Sequence, residues 1–146
     1  MTKILVIHGP NLDLLGKREP NIYGNTTLAQ INQALNKLAK TYKISLSIKQ
    51  SNHEGKIVDW IGKSKNIYAG LLINPAAYTH TSIAIRDAIL ASGILTVEVH
   101  LSNIYTREEF RHKSLISPVA KGSILGFGPK SYLLGLEALI GLLDPK

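Results

Sequence analysis

"YAGLLINPAAYTHTSIAIRDAILASGILTVEVH", residues 68–100, sets two apolar runs on either side of a helical pattern. Tyr68 to Ile73 is nearly all apolar and is broken by Asn74-Pro75, and Ile94 to Val99 is the second run. Between them Ile85, Ala88 and Ile89 recur at helical spacing, Thr81 or Ser82 can cap the helix, and Gly93 can end it. Strands that are apolar on both faces need cover on both faces, and a helix between two of them makes the pair parallel.

The alternation continues outward. Ile4 to Ile7 is a β-rich run, Thr27-Leu-Ala-Gln30 has the form of a capping box, and Leu28, Ile31, Leu35 and Leu38 form the stripe of the helix it opens. Ile44, Leu46 and Ile48 alternate as a strand, and Ile57, Val58 and Ile61 share one side of a short helix with Trp60 beside them. Downstream, Thr106-Arg-Glu-Glu109 has the form of a second capping box and Ser117-Pro118 of a turn. Ser123 to Phe127 is a fifth strand, and Pro129 starts a last helix. The pattern predicts an α/β fold: one domain over residues 1–146, a doubly wound five-stranded parallel sheet with helices on both faces. In such folds ligands bind beyond the carboxyl ends of the strands, near the point where strand order reverses. That selects Gly9 to Asn11, Asn74 to His80 and Glu98 to Ser102. The last helix carries leucine or isoleucine nearly all round, which predicts deep burial or packing against another subunit, hence a homo-oligomer.

Composition narrows the chemistry. The 146 residues are 45% hydrophobic, enough for one domain with a substantial core. Cysteine is absent, which excludes disulfides, thiolate metal sites and cysteine nucleophiles. The N-terminal apolar run of four residues is too short for a signal-peptide core or a membrane span, so the expectation is a cytoplasmic protein with no membrane partner. A formal charge of +7 could serve nucleic acid, but the lysines are dispersed and aromatic residues make up 6%, so a small anionic substrate fits and no nucleic-acid partner is expected.

Several motifs fail on inspection. Gly9 to Lys17 has six residues between its glycines, and Arg18 stands where a phosphate-binding loop needs Ser or Thr. Gly126-Phe-Gly128 follows the last strand, and Ser131 replaces the third glycine of a dinucleotide turn, so turn geometry explains it better. The five histidines form no His-x-x-x-His pair and no carboxylate cluster joins them, so no metal is expected. Asn25-Thr-Thr27 matches the glycosylation pattern but reads only as a helix start.

What remains is a set of groups at the strand ends. Glu98 and His100 stand two apart on a strand, so both point to one side, and the carboxylate can hold one ring nitrogen and fix the tautomer for proton donation. In the loop after the first strand, Arg18 precedes Tyr23. Tyrosine is a poor base at its ordinary pKa of about 10, and bringing it near 7 takes roughly 4 kcal/mol of preference for the phenolate. A guanidinium at about 4 Å and an effective dielectric near 20 supplies about that much before desolvation subtracts from it. Taken alone, each of these residues has an ordinary structural explanation.

Taken together, the segments resemble the signatures of the type II 3-dehydroquinate dehydratases along essentially the whole chain. His8-Gly-Pro-Asn11-Leu12 through Gly16-Lys-Arg-Glu-Pro20 and Tyr23-Gly24 matches the first, and Asn74-Pro-Ala-Ala-Tyr78-Thr-His-Thr-Ser82 the second. Glu98-Val-His-Leu-Ser-Asn103 matches the third, and Glu109-Phe-Arg111-His112 with Ser117-Pro-Val-Ala120 the fourth. The resemblance implies a flavodoxin-like fold and a cofactor-free hydro-lyase. The reaction it implies is conversion of 3-dehydroquinate to 3-dehydroshikimate through an enolate, in the shikimate and chorismate route to aromatic amino acids. It implies Tyr23 as proton acceptor, Arg18 as the group holding it as phenolate, Asn11 as enolate stabiliser and His100, held by Glu98, as proton donor. Asn74, His80, Leu101, Ser102 and Arg111 are implied to bind substrate as donors for its hydroxyls and carboxylate, and Asp87 to reach a neighbouring subunit's site. A dodecamer built from trimers is implied as well.

Asp13, Ala76, Lys113 and Leu115 depart from the family pattern, which often has Asn, Gly, His and Tyr there. Residues 11–24 then read as a lid carrying its own base, with hinges at Gly16 and Gly24. The competing expectation is a flavodoxin-like nucleotide- or phosphate-binding module, motivated by the Gly126 to Ser131 turn and the positive charge.

Overall fold

Strands and helices alternate in the computed structural model, which describes residues 1–17, 21 and 24–144. The strands are β1 (Lys3–His8), β2 (Ser45–Gln50), β3 (Gly70–Asn74), β4 (Leu95–His100) and β5 (Gly122–Leu125). The helices are α1 (Leu28–Thr41), α2 (Glu54–Gly62), α3 (Ile83–Ser92) and α4 (Lys130–Leu143). All pairings are parallel, in the order β2-β1-β3-β4-β5. The order reverses between β1 and β3, so the crevice expected of a doubly wound sheet opens between their carboxyl ends.

Period-two alternation divides the core. Ile4, Val6, Leu72, Val97 and Val99 meet α1 and α4 through Ile31, Leu35, Leu136 and Leu139. Leu5, Ile7, Leu71 and Ile73 meet α2 and α3 through Ile57, Ile61, Ile85 and Ile89. Full burial of each such side chain contributes about 1.5–3 kcal/mol. At Gly135 of α4 an added Cβ would lie 2.4 Å from Val99 Cγ1 and 2.9 Å from Leu72 Cδ1. The helix therefore lies hard against β3 and β4, the strands that end at Asn74 and His100.

The helix starts follow their side chains. The Thr27 hydroxyl accepts the Gln30 N–H at 3.2 Å while Gln30 Oε1 accepts the Thr27 N–H at 2.9 Å, which is the capping box. Ser82, rather than Thr81, caps α3 by accepting the Ile85 N–H, and Gly93 ends it in the left-handed region. Three details differ from the sequence reading. β3 begins at Gly70 rather than Tyr68, and β5 ends at Leu125 because Gly126 turns the chain at φ 95°. Thr106 opens no α-helix: its hydroxyl donates back to the Asn103 carbonyl at 2.8 Å, and only short 3-10 turns, Ile104–Thr106, Glu109–Arg111 and Ser117–Val119, lie between β4 and β5. Most of the apolar surface of α4 is absorbed within the chain, with Tyr132, Leu136, Leu139 and Ile140 buried and Leu142 exposed. No helix among the described residues is long and apolar enough to cross a membrane.

Candidate active site

Close approach of β1 and β3 forms the floor of the crevice. The Gly9 N–H donates to the Asn74 carbonyl at 2.7 Å, and a Cβ at Gly9 would stand 2.5 Å from the Pro75 carbonyl oxygen, so only glycine fits. The chain then turns sharply at Asn11, which holds φ 67°, a left-handed conformation that asparagine tolerates better than most residues. Asn52 braces that turn: its Oδ1 accepts the Asn11 N–H at 2.9 Å and the Gln50 Nε2–H at 3.1 Å. Asn52 and Gln50 were not singled out from the sequence, where nothing marks a β2–α2 turn as serving β1.

Asn11, Asn74, His80, His100, Leu101 and Ser102 line one cleft, together with Arg111. Arg107 lines it too, a residue the sequence reading passed over as part of a helix start. The two arginines face a common partner, Glu108, which lies 3.0 Å from Arg111 Nε and 4.0 Å from Arg107 Nε. Asp87 is exposed on α3 and does not line the cleft. Arg18 and Tyr23 lie outside the described residues. Gly16 and Gly24, read as hinges, hold φ 85° and 75°.

Behind the cleft wall the Glu98 side chain is fully buried, and His100 is 7% exposed. His100 Nε2–H donates to Glu98 Oε2 at 2.5 Å, leaving Nδ1 as the ring nitrogen Glu98 does not occupy. Ser117 Oγ donates to Oε1 at 2.5 Å, Ser114 Oγ donates at 3.0 Å, and the Thr79 hydroxyl donates to Oε2. Burial alone would push the Glu98 carboxyl up. The hydrogen bond and charge of His100, helped by the Ser117 and Thr79 hydroxyls, outweigh it and hold the group below the usual carboxylate range.

His80 corrects one expectation. Its Nδ1–H donates to the Lys113 carbonyl at 2.8 Å. Burial, with the His100 and Arg111 charges beside it, holds the ring below the usual histidine range despite the raising effects of that carbonyl and of Glu98. A neutral ring with Nδ1–H committed presents Nε2 as an acceptor, where the sequence reading had only donors. The departure at Lys113 is harmless here because the contact is to main chain. Leu115 likewise serves through its backbone, its N–H meeting the Thr79 carbonyl at 2.7 Å and its carbonyl the Arg86 guanidinium at 3.1 Å.

Ala76 does carry a cost. It sits at φ 52°, left-handed and without a side chain that bonds locally, which costs roughly 1–2 kcal/mol relative to glycine. Ala76→Gly is expected to raise Tm by about 2–8 °C in thermal denaturation, and an unchanged or lower Tm would show the turn to be relaxed.

Among the described residues no three His, Asp or Glu side chains gather as a metal site requires. The Gly126 to Ser131 turn is closed on itself. Phe127 N–H donates to Ser131 Oγ at 3.0 Å, Gly128 N–H to the Leu101 carbonyl at 2.9 Å and Ser131 N–H to the Gly128 carbonyl at 3.0 Å. The Phe127, Gly128 and Ser131 amides are thus spent on the turn's own geometry.

Comparison with known proteins agrees with this geometry. The family model "Dehydroquinase class II" matches residues 2–140. A 3-dehydroquinate dehydratase of Trichodesmium erythraeum is 61% identical over 140 residues, 96% of this chain and 93% of that protein. The crystal structure of type II dehydroquinase from Butyrivibrio crossotus superposes with a TM-score of 0.93 at 48% identity, covering 95% of this chain and 97% of that one. The corresponding structure from Propionibacterium acnes gives 0.90 at 40% identity, covering 98% and 97%. With its sheet order, its cleft at the β1/β3 crevice and the match from residue 2 to residue 140, the chain belongs to the class II dehydroquinase family.

Proposed function

We propose that the protein eliminates water from 3-dehydroquinate to give 3-dehydroshikimate, in the shikimate and chorismate route to aromatic amino acids, by acid–base chemistry through an enolate. The observation that carries this is the buried Glu98 carboxylate holding His100 Nε2 at the wall of a cleft lined by Arg107 and Arg111. Tyr23, as phenolate beside Arg18, takes the proton next to the ketone. Asn11, braced by Asn52, stabilises the enolate that forms. His100, carrying hydrogen on both ring nitrogens for this step, delivers the one on Nδ1 to the departing hydroxyl, and the Nε2–H···Glu98 bond keeps the ring oriented as it does so.

Binding follows from the same groups. The arginines attract the substrate carboxylate, Asn74, Ser102 and the Leu101 backbone meet its oxygens, and His80 Nε2 accepts from a hydroxyl. Every proposed role falls to a side chain or the backbone. We place the enzyme in the cytoplasm as a dodecamer built from trimers, in which exposed Asp87 faces a neighbour's site. The internal packing of α4 removes much of the sequence argument for assembly, so the resemblance carries that part.

The test is to mix purified protein with 3-dehydroquinate and follow the ultraviolet absorbance of the conjugated product. A rise is expected, unaffected by a chelator or by borohydride, and its absence overturns the proposal. Inactivation by borohydride would instead indicate a lysine Schiff base.

A further inference from the structure

A polar chain crosses the apolar layer under α4. Asn32 of α1, His8 of β1, Tyr132 of α4 and Asn74 of β3 are linked in that order. His8 Nε2 lies 2.8 Å from Asn32 Oδ1, His8 Nδ1 lies 2.8 Å from the Tyr132 hydroxyl, and Asn74 Nδ2 lies 3.0 Å from that hydroxyl. At the far end Asn74 Oδ1 accepts the Ala76 N–H at 3.0 Å. His8 and Tyr132 have no exposed surface and Asn74 has 2%. Strand register places His8 directly beside Asn74.

One group fixes the direction of every bond. The Ala76 amide can only donate, so Asn74 must turn Oδ1 toward it and Nδ2 toward Tyr132. The Tyr132 hydroxyl, already accepting from Asn74, then donates to His8 Nδ1, which requires the tautomer with hydrogen on Nε2, and that hydrogen goes to Asn32 Oδ1. Nothing in the chain can reverse without leaving a buried group unpaired, at a cost of about 1–3 kcal/mol. Nor does it titrate near neutrality. Burial lowers His8 to about 4 against the raising effect of Asn32, and burial pushes the Tyr132 hydroxyl above its ordinary value against the lowering effect of Asn74.

Of the two Nδ2 hydrogens of Asn74, one is committed to Tyr132 and the other has no partner among the described residues, while Asn74 itself lines the cleft. We propose that Tyr132, backed by His8, is a positioning residue that locks the Asn74 carboxamide so that its second N–H is offered to an oxygen acceptor of the bound substrate. The assignment rests on the dehydroquinate reading for the identity of that substrate and on the hydrogen-bond chain for the orientation. A polar chain needed only for folding would not have to end in the cleft.

The test is a steady-state cycle with 3-dehydroquinate on wild type, Tyr132→Phe, Asn74→Ala and the double variant. Tyr132→Phe is expected to raise KM about tenfold, the effect of losing one oriented hydrogen bond, with kcat within about threefold. The double variant should match the KM of Asn74→Ala within about twofold, because Tyr132 acts only through Asn74. Unchanged KM in Tyr132→Phe, or effects that multiply in the double variant, would overturn the proposal. Hydrogen exchange of the Asn74 side-chain amide, read by NMR without turnover, gives an independent answer. Exchange should accelerate at least about tenfold in Tyr132→Phe, or in Asn32→Leu if the first variant does not fold, and unchanged exchange overturns the proposal. Failure of wild type to turn over dehydroquinate, with the acceleration still seen in the variant, would sink the substrate reading and leave the positioning role standing.

Discussion

Tyr23→Phe is expected to bind 3-dehydroquinate and not to turn it over: kcat falls by about 10²–10⁴-fold, the usual worth of a positioned general base, while substrate affinity changes little. The variant keeps the ring and removes only the oxygen that takes the proton. Near-normal turnover would remove Tyr23 from the role. The companion variant Arg18→Gln tests why a tyrosine serves at all. If the guanidinium stabilises the phenolate, its loss moves the pH at which kcat/KM rises upward toward the ordinary tyrosine value of about 10, and activity returns in alkaline buffer. An unshifted profile would show that Arg18 has some other task. The fold itself disqualifies Tyr132, which reaches the cleft only through Asn74, as a base. Tyr132 is fully buried and its hydroxyl is pushed above the ordinary value, so it stays protonated and can serve only as a hydrogen-bonding strut. Tyr132 is thus set apart from the base proposed at Tyr23, because Tyr132 is enclosed by apolar core whereas Tyr23 follows an arginine in sequence.

Much of this was legible in the residues. Apolar runs buried on both faces gave the parallel sheet, and the side-chain caps at Thr27 and Ser82 gave two helix starts. The two-residue spacing of Glu98 and His100 gave a pair that does meet, at 2.5 Å. What escaped was the long-range polar partnering. Tyr132 counts as one more apolar residue on a leucine-rich helix, and its hydroxyl becomes informative only when β1 and β3 bring His8 and Asn74 to it from 124 and 58 residues away. Asn52 belongs to a turn with no periodicity, yet it holds Asn11 from 41 residues away. Ser117 reads as a turn residue and Ser114 carries no signal in the sequence, yet both prove to be donors to Glu98. Thr106 failed in the other direction: the local pattern of a capping box was present, but its hydroxyl bonded upstream to Asn103. Local periodicity records which face is buried, whereas hydrogen-bond partners are chosen by topology.

Glu98→Gln is expected to fold and to lose about 10²–10⁴ in kcat with a smaller change in KM, the size of effect seen when a histidine loses the carboxylate that orients it. The carboxylate is an acceptor at both oxygens and receives donors from His100, Thr79, Ser114 and Ser117. An amide offers one acceptor and one donor. If its NH₂ faces His100, Nε2 must accept and cannot carry hydrogen, so the ring protonated at both nitrogens that donates from Nδ1 cannot form. If its oxygen faces His100 instead, the Nε2–H bond survives but the negative charge that pairs with the protonated ring is gone. Serine and threonine hydroxyls can rotate to accept, which is why the variant should still fold. The same substitution carries a stability signature. Since the folded state holds the Glu98 carboxyl below its ordinary range, the carboxylate contributes stability that is present above the unfolded value of about 4.3 and is lost as pH falls through the lower folded value. Denaturant melts should therefore show wild type losing stability on acidification below that range more steeply than Glu98→Gln, which has no proton to take up there. Parallel curves for the two proteins would mean that Glu98 titrates alike in the folded and unfolded chain, and the proposed cage of donors around it would have to be abandoned.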